Sequence, residues 1–307
     1  MKIYKGIDSF KKLPQAVVTT GTFDGVHLGH KKILDSLIEI GRSINSETVL
    51  ITFFPHPRIV LFPDNELKLI NTIDQNIELY KQYHIDYLVF LEFDIPFSRI
   101  TSLEYIRDIL LKKIGLTDLV IGYNHHFGRN REGSISNLKE YADLYDFNIH
   151  EVGPYQLEKV SVSSTKVRDA INTGAMQLTN RYLGYNFHFA GKVIEGKGMG
   201  KTLGFPTANI KIQDINKIIP KEGVYAVYIY YKNKKYGGML NIGKNPTFNQ
   251  NDLSIEVNIF NFNHSIYNEF ITIEFVKRIR DEKKFKSIEE LKHQLSMDKI
   301  ASLNIIS

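Results

Sequence analysis

Histidines at positions 27 and 30 offer the first recognisable chemistry in this chain. They stand three apart in Gly21-Thr-Phe-Asp-Gly-Val-His-Leu-Gly-His30, a spacing that puts both rings on one face of a helix. Unpaired backbone N–H groups and the helix dipole make a helix start favourable for anions. Two imidazoles added there form a cradle for a phosphate that is gaining charge. Gly21, Gly25 and Gly29 let backbone approach a ligand without a Cβ in the way. Phe23 and Asp24 complete the same phosphate-binding candidate. A turn carrying two surface histidines would use the same residues. Zinc is a further reading, but a zincin helix needs His-Glu-x-x-His and no third ligand stands nearby.

Further along, Ser163-Ser164-Thr165-Lys166-Val-Arg168 combines hydroxyls and cations at an expected helix start, a second set of phosphate donors. An ordinary capped helix with solvated basic residues is the alternative. Gly196-Lys-Gly198-Met-Gly200-Lys201 alternates glycine and lysine in a way that suits a backbone nest for phosphate. It is not a P-loop, because the spacing to a Lys-Thr pair is wrong and no strand-then-helix pattern flanks it. Glu256 lies in an alternating strand that sends Ile255, Val257 and Ile259 to one face and Glu256 with Asn258 to the other. An exposed strand carboxylate is the plain reading of Glu256.

Alternating β-rich and helical segments position the first set. Strands are predicted at 16–23, 48–54, 87–91 and 118–122, and helices at about 28–43, from the Thr72–Gln75 capping box, from the Thr101–Glu104 capping box to Gly115, and at about 164–173 with Ser164 as cap. This alternation predicts a parallel Rossmann-like sheet with helices on both faces. After residue 182 the pattern becomes all-β. Strands are predicted at 187–193, 224–231, 236–241, 254–260 and 270–276, with no helix between them, and a final capped helix begins near Ser287. That is a barrel or sandwich signature. The expected domains are therefore 1–182 and 183–307.

The whole decapeptide resembles the His-x-Gly-His motif of the nucleotidyltransferase superfamily. The resemblance implies that His27 and His30 stabilise the α-phosphate and the departing pyrophosphate, and that Ser163–Arg168 holds the β- and γ-phosphates. Phe53-Phe-Pro-His-Pro57 and Gly122-Tyr-Asn-His-His-Phe-Gly128 resemble segments of the bacterial flavin adenylyltransferase module. That implies a place for Asn124 in the ATP and FMN site. Phe54, Phe62 and Phe127 are candidates to pack on an isoalloxazine ring, with core packing the alternative for each; His125 and His126 carry no assignment. Gly204-Phe-Pro-Thr-Ala-Asn209 resembles the Pro-Thr-Ala-Asn signature of riboflavin kinases, implying that Thr207 and Asn209 ligate Mg²⁺ bound to ATP. Ile255-Glu-Val-Asn-Ile-Phe-Asn-Phe262 is similar to the strand that carries that family's base, implying this role for Glu256. Asn258 and Asn261 stand where many members have His and Asp. The charged tail implies flavin contacts from Arg280 and Phe285.

Taken together, the motifs resemble, in order, the bifunctional bacterial riboflavin kinase/FAD synthetase family. The implied chemistry converts riboflavin and ATP to FMN, then FMN and ATP to FAD and pyrophosphate, with Mg²⁺ at both sites. The implied partners are thus small molecules, with no nucleic acid or membrane. A nucleotidyltransferase with another acceptor and an inactive barrel is one alternative, and an RNA-binding barrel is another. Composition agrees with two globular domains: 307 residues, 43% hydrophobic and 24% charged. With zero cysteines, disulfides, thiolate metal sites and thiol nucleophiles are excluded. No apolar run reaches the ~18 residues of a membrane span, and the start lacks an apolar leader segment; a cytoplasmic setting is expected. The formal charge of +5 divides as −1 through Arg181 and +6 from Tyr182 onward, so the kinase-like half carries the positive field.

Overall fold

The computed structural model describes residues 1–64, 67–123, 126–129, 132–196, 199–244 and 253–306, without the side chains of Met199, Lys201 and Lys244. Two compact units emerge: Met1–Lys68 with Thr72–Ser163, and Leu69–Asn71 with Ser164 onward.

In the first unit, strands β1 (Lys2–Lys5), β2 (Ala16–Thr20), β3 (Glu47–Phe54), β4 (Tyr87–Glu92), β5 (Leu116–Gly122) and β6 (Asn148–Val152) form one sheet in the order β1-β4-β3-β2-β5-β6. Every pairing is parallel. Helices α1 (Leu28–Ser43), α2 (Pro57–Leu61), α3 (Ile73–Lys81), α4 (Ser102–Glu104) and α5 (Ile135–Tyr145) connect the strands, and a small hairpin, β7 (Gln156–Leu157) and β8 (Val160–Ser161), closes the unit. Strand alternation divides the side chains between two cores. Ala16, Val18, Val49, Ile51, Leu119 and Ile121 share one core with Tyr105, Ile106, Leu110 and Ile114. Val17, Leu50, Leu88 and Val120 are equally buried and turn the other way, as do Leu34 and Leu37 of α1. Burying each such leucine contributes about 1.5–3 kcal/mol. The predicted capping boxes at Thr72 and Thr101 both form, and a third forms at Ser134. Beyond α4 the helix widens to a π-type turn over Tyr105–Ile114, with Gly115 N–H donating to Leu110 O at 3.0 Å. Gly115 ends it at φ 94°, and a Cβ there would sit 2.2 Å from the Leu13 carbonyl oxygen.

Sheet order reverses at β2. From there the chain adds β3 and β4 on one side, and later β5 and β6 on the other. In open α/β sheets this switch point is where a ligand crevice opens, at the carboxyl ends of the strands. The histidine decapeptide follows β2 directly.

The second unit begins with α6 (Ser164–Asn172) and α7 (Met176–Leu183), followed by strands β9 (His188–Ile194), β10 (Ala208–Lys211), β11 (Gly223–Tyr231), β12 (Lys234–Lys244), β13 (Leu253–Ile259) and β14 (Phe270–Arg280). These six strands close into an antiparallel barrel, β10-β13-β12-β11-β14-β9. The barrel, rather than a sandwich, is therefore the fold. Helix α9 (Ile288–Ile306) packs on it, with Tyr228 OH donating to the Ile306 carbonyl at 3.0 Å. Asn180 of α7 is bound into the barrel, donating to Phe275 O at 2.8 Å and accepting from Phe187 N–H at 2.9 Å. Leu69–Asn71 also pairs with this unit: Leu69 N–H donates to Asn216 O at 2.6 Å and Ile218 N–H to Leu69 O at 2.9 Å. Lys217, only 2% exposed, donates to the Ile70 carbonyl and lies 4.5 Å from the centroid of the Phe187 ring.

Several elements were not expected from the sequence: strands β1 and β6, helices α2, α5 and α7, the β7–β8 hairpin, and two pieces at the barrel. Four-residue strand β10, which completes the barrel, was not expected; a run of Ala-Asn-Ile-Lys after Pro-Thr has little β signature of its own. A one-turn helix, α8 (Met199–Thr202), stands where no helix was expected. In addition, α6 starts at Ser164 itself, not one residue later.

Candidate active sites

At the end of β2 the chain turns sharply. Phe23 (φ 45°) and Val26 (φ 38°) occupy left-handed backbone conformations, and Val26 N–H closes the turn on Phe23 O at 3.1 Å. A β-branched residue rarely adopts such a φ, and strain of this kind concentrates at functional sites. The turn buries Phe23, Asp24 and His27. His27 becomes the N-cap of α1, its Nδ1 accepting from His30 N–H at 3.3 Å. That acceptor role assigns the neutral ring's proton to Nε2, leaving Nε2–H as a donor. The two imidazoles stack, with centroids 3.7 Å apart and planes 17° off parallel. Phe23 braces His30 from behind, centroid to centroid 5.1 Å. A Cβ on Gly29 would lie 3.1 Å from the His27 ring and 3.2 Å from the Val162 carbonyl oxygen. Only glycine fits comfortably between them, and the chain immediately before Ser163 is thereby held against the first turn of α1.

Below this turn, Thr19 Oγ1 donates to Val120 O at 2.8 Å, and Thr20 Oγ1 lies 2.7 Å from Tyr105 OH. Burial pushes the Tyr105 phenol well above its usual range, with the Thr20 hydrogen bond working the other way. At the neighbouring strand end, His56 caps α2 by accepting from Arg58 N–H at 3.1 Å. Phe54 and Phe62, flanking this short helix, are 52% and 56% exposed. Phe127 is different. Its ring is half-buried against the sheet core, 6.0 Å from Tyr105, and its backbone pairs with Gly133. Asn124, like His125 and Arg131, lies outside the described residues. Among the described residues, no three His, Cys, Asp or Glu gather as a metal site.

On α6, Val167, Ala170 and Ile171 face inward, Thr165 and Lys166 are exposed, and Ser163, Ser164 and Arg168 are half-buried. The amphipathic pattern thus reserves the first turn's hydroxyls and cations for the solvent side.

The barrel's polar constellation forms where β10 meets β13. Register pairs Asn209 with Glu256, and Glu256 with Asn241 on β12. Thr207 Oγ1 donates to Glu256 Oε2 at 3.2 Å, and Ser254 Oγ donates to Oε1 at 3.2 Å. The Glu256 carboxylate is half-buried and held at both oxygens. Because the Thr207 hydrogen is turned to Glu256, the lone pairs of its oxygen face away from the carboxylate. Gly196 and Gly200 lie against this ridge. A Cβ on Gly196 would fall 1.8 Å from Asn209 Nδ2, and one on Gly200 would fall 2.4 Å from the Phe205 carbonyl oxygen. Gly198 lies outside the described residues, as does the Lys201 side chain.

Arg280 is engaged within the protein. Its Nε and Nη2 donate to the Asp298 carboxylate at 2.9 and 2.7 Å, and Nη1 donates to Asp281 O at 2.9 Å. Half-buried Phe285 lies under the guanidinium, 5.9 Å from centroid to Cζ. The fork to a buried aspartate was invisible in sequence, because Asp298 looks like one more polar residue of a charged helix. Asn258, also unassigned from sequence, donates from Nδ2 to Pro206 O at 2.6 Å, and Asn261 supplies a left-handed turn at φ 54°.

A parallel sheet with a strained histidine turn at its switch point, followed by a closed barrel with a Thr-Asn-Glu ridge, defines a nucleotidyltransferase-type module joined to a flavokinase-type barrel. Comparison with known proteins is specific. Residues 9–166 match the FAD synthetase family and residues 183–306 the riboflavin kinase family. The chain belongs to the bifunctional riboflavin kinase/FMN adenylyltransferase family. It is 38% identical over 304 residues to the member so named from Buchnera aphidicola subsp. Schizaphis graminum, covering 97% of this chain and 96% of that protein. It is 32% identical to that of Escherichia coli K12, covering 98% and 97%. A solved structure from Streptococcus pneumoniae, described as a macrolide-efflux protein, superposes with a TM-score of 0.91 at 31% identity, covering 99% of this chain and 98% of that chain. No helix among the described residues is long and apolar enough to cross a membrane. ATP-dependent kinases and nucleotidyltransferases work with a divalent metal.

Proposed function

We propose that the two reactions of the family run on separate residue sets in this chain: FMN adenylylation on the histidine turn, riboflavin phosphorylation on the barrel ridge. The domain division proposed is 1–182 and 183–307, and the proposed location is the cytoplasm. Substrates and products are riboflavin, FMN, FAD and ATP.

For adenylyl transfer, an FMN phosphate oxygen bonds to the α-phosphorus of ATP. The bond to the pyrophosphate oxygen breaks, and pyrophosphate leaves with the electron pair. His27 presents Nε2–H, and His30 stacks on it, so both rings are positioned to stabilise charge on the transferring and leaving phosphates. Gly21, Phe23, Asp24 and Gly29 shape the turn. Phosphate contacts are assigned to Ser163, Ser164, Thr165, Lys166 and Arg168, and a further ATP/FMN contact to Asn124. Flavin contacts are assigned to Phe54 and Phe62; the core packing of Phe127 favours a supporting role for that ring.

For phosphoryl transfer, Glu256 takes the proton of the riboflavin hydroxyl as its oxygen bonds to the γ-phosphorus, and ADP leaves. Mg²⁺ is the proposed metal. Neutral oxygen donors suit it, and Thr207, with its lone pairs turned away from Glu256, fits, as does Asn209 beside the Gly196 backbone. When bound, the ion neutralises phosphate charge. Gly196, Gly198, Gly200 and Lys201 are assigned to the ATP phosphates. Arg280 is held by Asp298, so the direct flavin contact at this end is assigned chiefly to Phe285.

The observation that carries this reading furthest is the hydrogen bond from Thr207 to Glu256 across the Asn209–Glu256 register pair. Incubation with riboflavin, ATP and Mg²⁺, followed by chromatography, should yield both FMN and FAD. Supplying FMN to Glu256→Ala should still yield FAD. Equal loss of both products in His27→Ala and in Glu256→Ala would defeat the two-site assignment.

A further inference from the structure

We propose that Asn258 is a positioning residue for phosphoryl transfer: its side-chain amide holds the Pro206 carbonyl and so keeps the Thr207 hydroxyl on Glu256. The inference rests on the reading of the barrel ridge given above.

Strand β10 is tied to β13 at only two register positions, Ala208 with Val257 and Asn209 with Glu256. Continuing that register would set Asn258 opposite Thr207. The ladder stops short of it, and Pro206, one residue further out, has no N–H to extend it. Yet Thr207 is the residue whose hydroxyl must meet Glu256. What fixes the chain there is a side chain. Asn258 is 6% exposed, lies on the same strand face as Glu256, and donates from Nδ2 to Pro206 O at 2.6 Å. Backbone pairing anchors the other side of β13, where Met239 faces Asn258 and Asn241 faces Glu256. The β13 face is therefore rigid, and Asn258 transfers that rigidity to the entry of β10.

An amide is well suited to the task. It donates to a carbonyl while bringing no charge within two residues of the catalytic carboxylate. An aspartate of the same shape cannot donate when ionised, and would repel Glu256. A histidine could donate through a ring N–H. Leucine matches the size but removes the hydrogen bond that holds the Pro206 carbonyl.

The test is a calorimetric titration of Mg·ADP into the full chain with riboflavin present. ADP is a product of the kinase reaction alone, and a weakened titration in Thr207→Ala assigns the signal to the barrel. In Asn258→Leu, Mg·ADP affinity is expected to fall about tenfold, with half-saturating Mg²⁺ for FMN formation rising in parallel. The KM for riboflavin should hold, as should FAD formation from supplied FMN. Asn258→His is expected to restore the affinity. If Asn258→Leu does not fold, Asn258→Asp is read in its place with the same expected loss. Wild-type affinity in the folded variant, alongside weakened binding in Thr207→Ala, overturns the role of Asn258 and leaves the ridge intact. Unchanged Mg·ADP binding in both Thr207→Ala and Asn209→Ala overturns the ridge reading and this proposal together.

Discussion

A single proton placement gives His27 its character. Accepting from the His30 N–H at Nδ1 leaves the neutral ring's proton on Nε2. Replacing His27 or His30 with alanine is expected to lower FAD formation by about 10²–10³-fold, the loss typical of one preorganised donor to developing charge. FMN formation should persist, as read by chromatography of both flavins. Glu256→Ala is expected to lower FMN formation by about 10²–10⁴-fold, the contribution typical of a positioned base, and to spare FAD formation from supplied FMN. The residue types of both sites were legible because phosphate chemistry draws on a short menu of side chains. Their tethers were not. Asp298 holding Arg280, and Asn258 holding Pro206, depend on partners 18 and 52 residues away, which no local pattern reports.

Elements decide whether those residues meet. Most of the regular ones could be read from sequence, because α1, α3, β2 to β5 and the long barrel strands carry caps and periodicity of their own. Those that could not include helices α5 and α7 and the strands β1, β6 and β10, of four or five residues, which form because a neighbouring strand has open backbone groups. The loop after β9 shows what such dependence means for function. Gly196→Ala would thrust a methyl group into Asn209 Nδ2, the movable end of a side chain, so the fold is expected to survive while Asn209 is displaced. FMN formation should drop at least tenfold with an unchanged melting transition and unchanged FAD formation from FMN. In the sheet, Tyr87 of β4 donates to Glu47 of β3 at 2.8 Å. This bond, helped by burial, raises the phenol to about 12. A folded-state value above the unfolded value of about 10 means the stabilisation is complete below pH 10 and lost as pH rises toward 12. Urea unfolding at pH 8–12 should show a steeper alkaline loss in the wild type than in Tyr87→Phe; parallel curves would remove this bond as the cause.

At the scale of the whole molecule, the division of charge assigns the positive field to the part that handles ATP and releases a phosphorylated flavin, a use that requires no nucleic acid. Both proposed chemistries also proceed through histidine, glutamate, hydroxyls and backbone N–H groups, in keeping with a chain that has no thiol. The pairing of Leu69–Asn71 with Asn216–Ile218 bears on how this protein could ever be divided. Its two compact units are not two consecutive stretches of chain: the polypeptide passes from one to the other at 68/69, back at 71/72 and across again at 163/164. A single cut after Ser163 would send Leu69–Asn71 away with the wrong half and take the Ile70 carbonyl from Lys217. A fragment of residues 164–307 is therefore expected to unfold at lower urea than the barrel does in the intact chain, and adding a peptide spanning 66–74 should recover part of the difference. Gene fusions, truncations or natural splits of this protein would have to carry that three-residue strap with the barrel, or replace what it supplies.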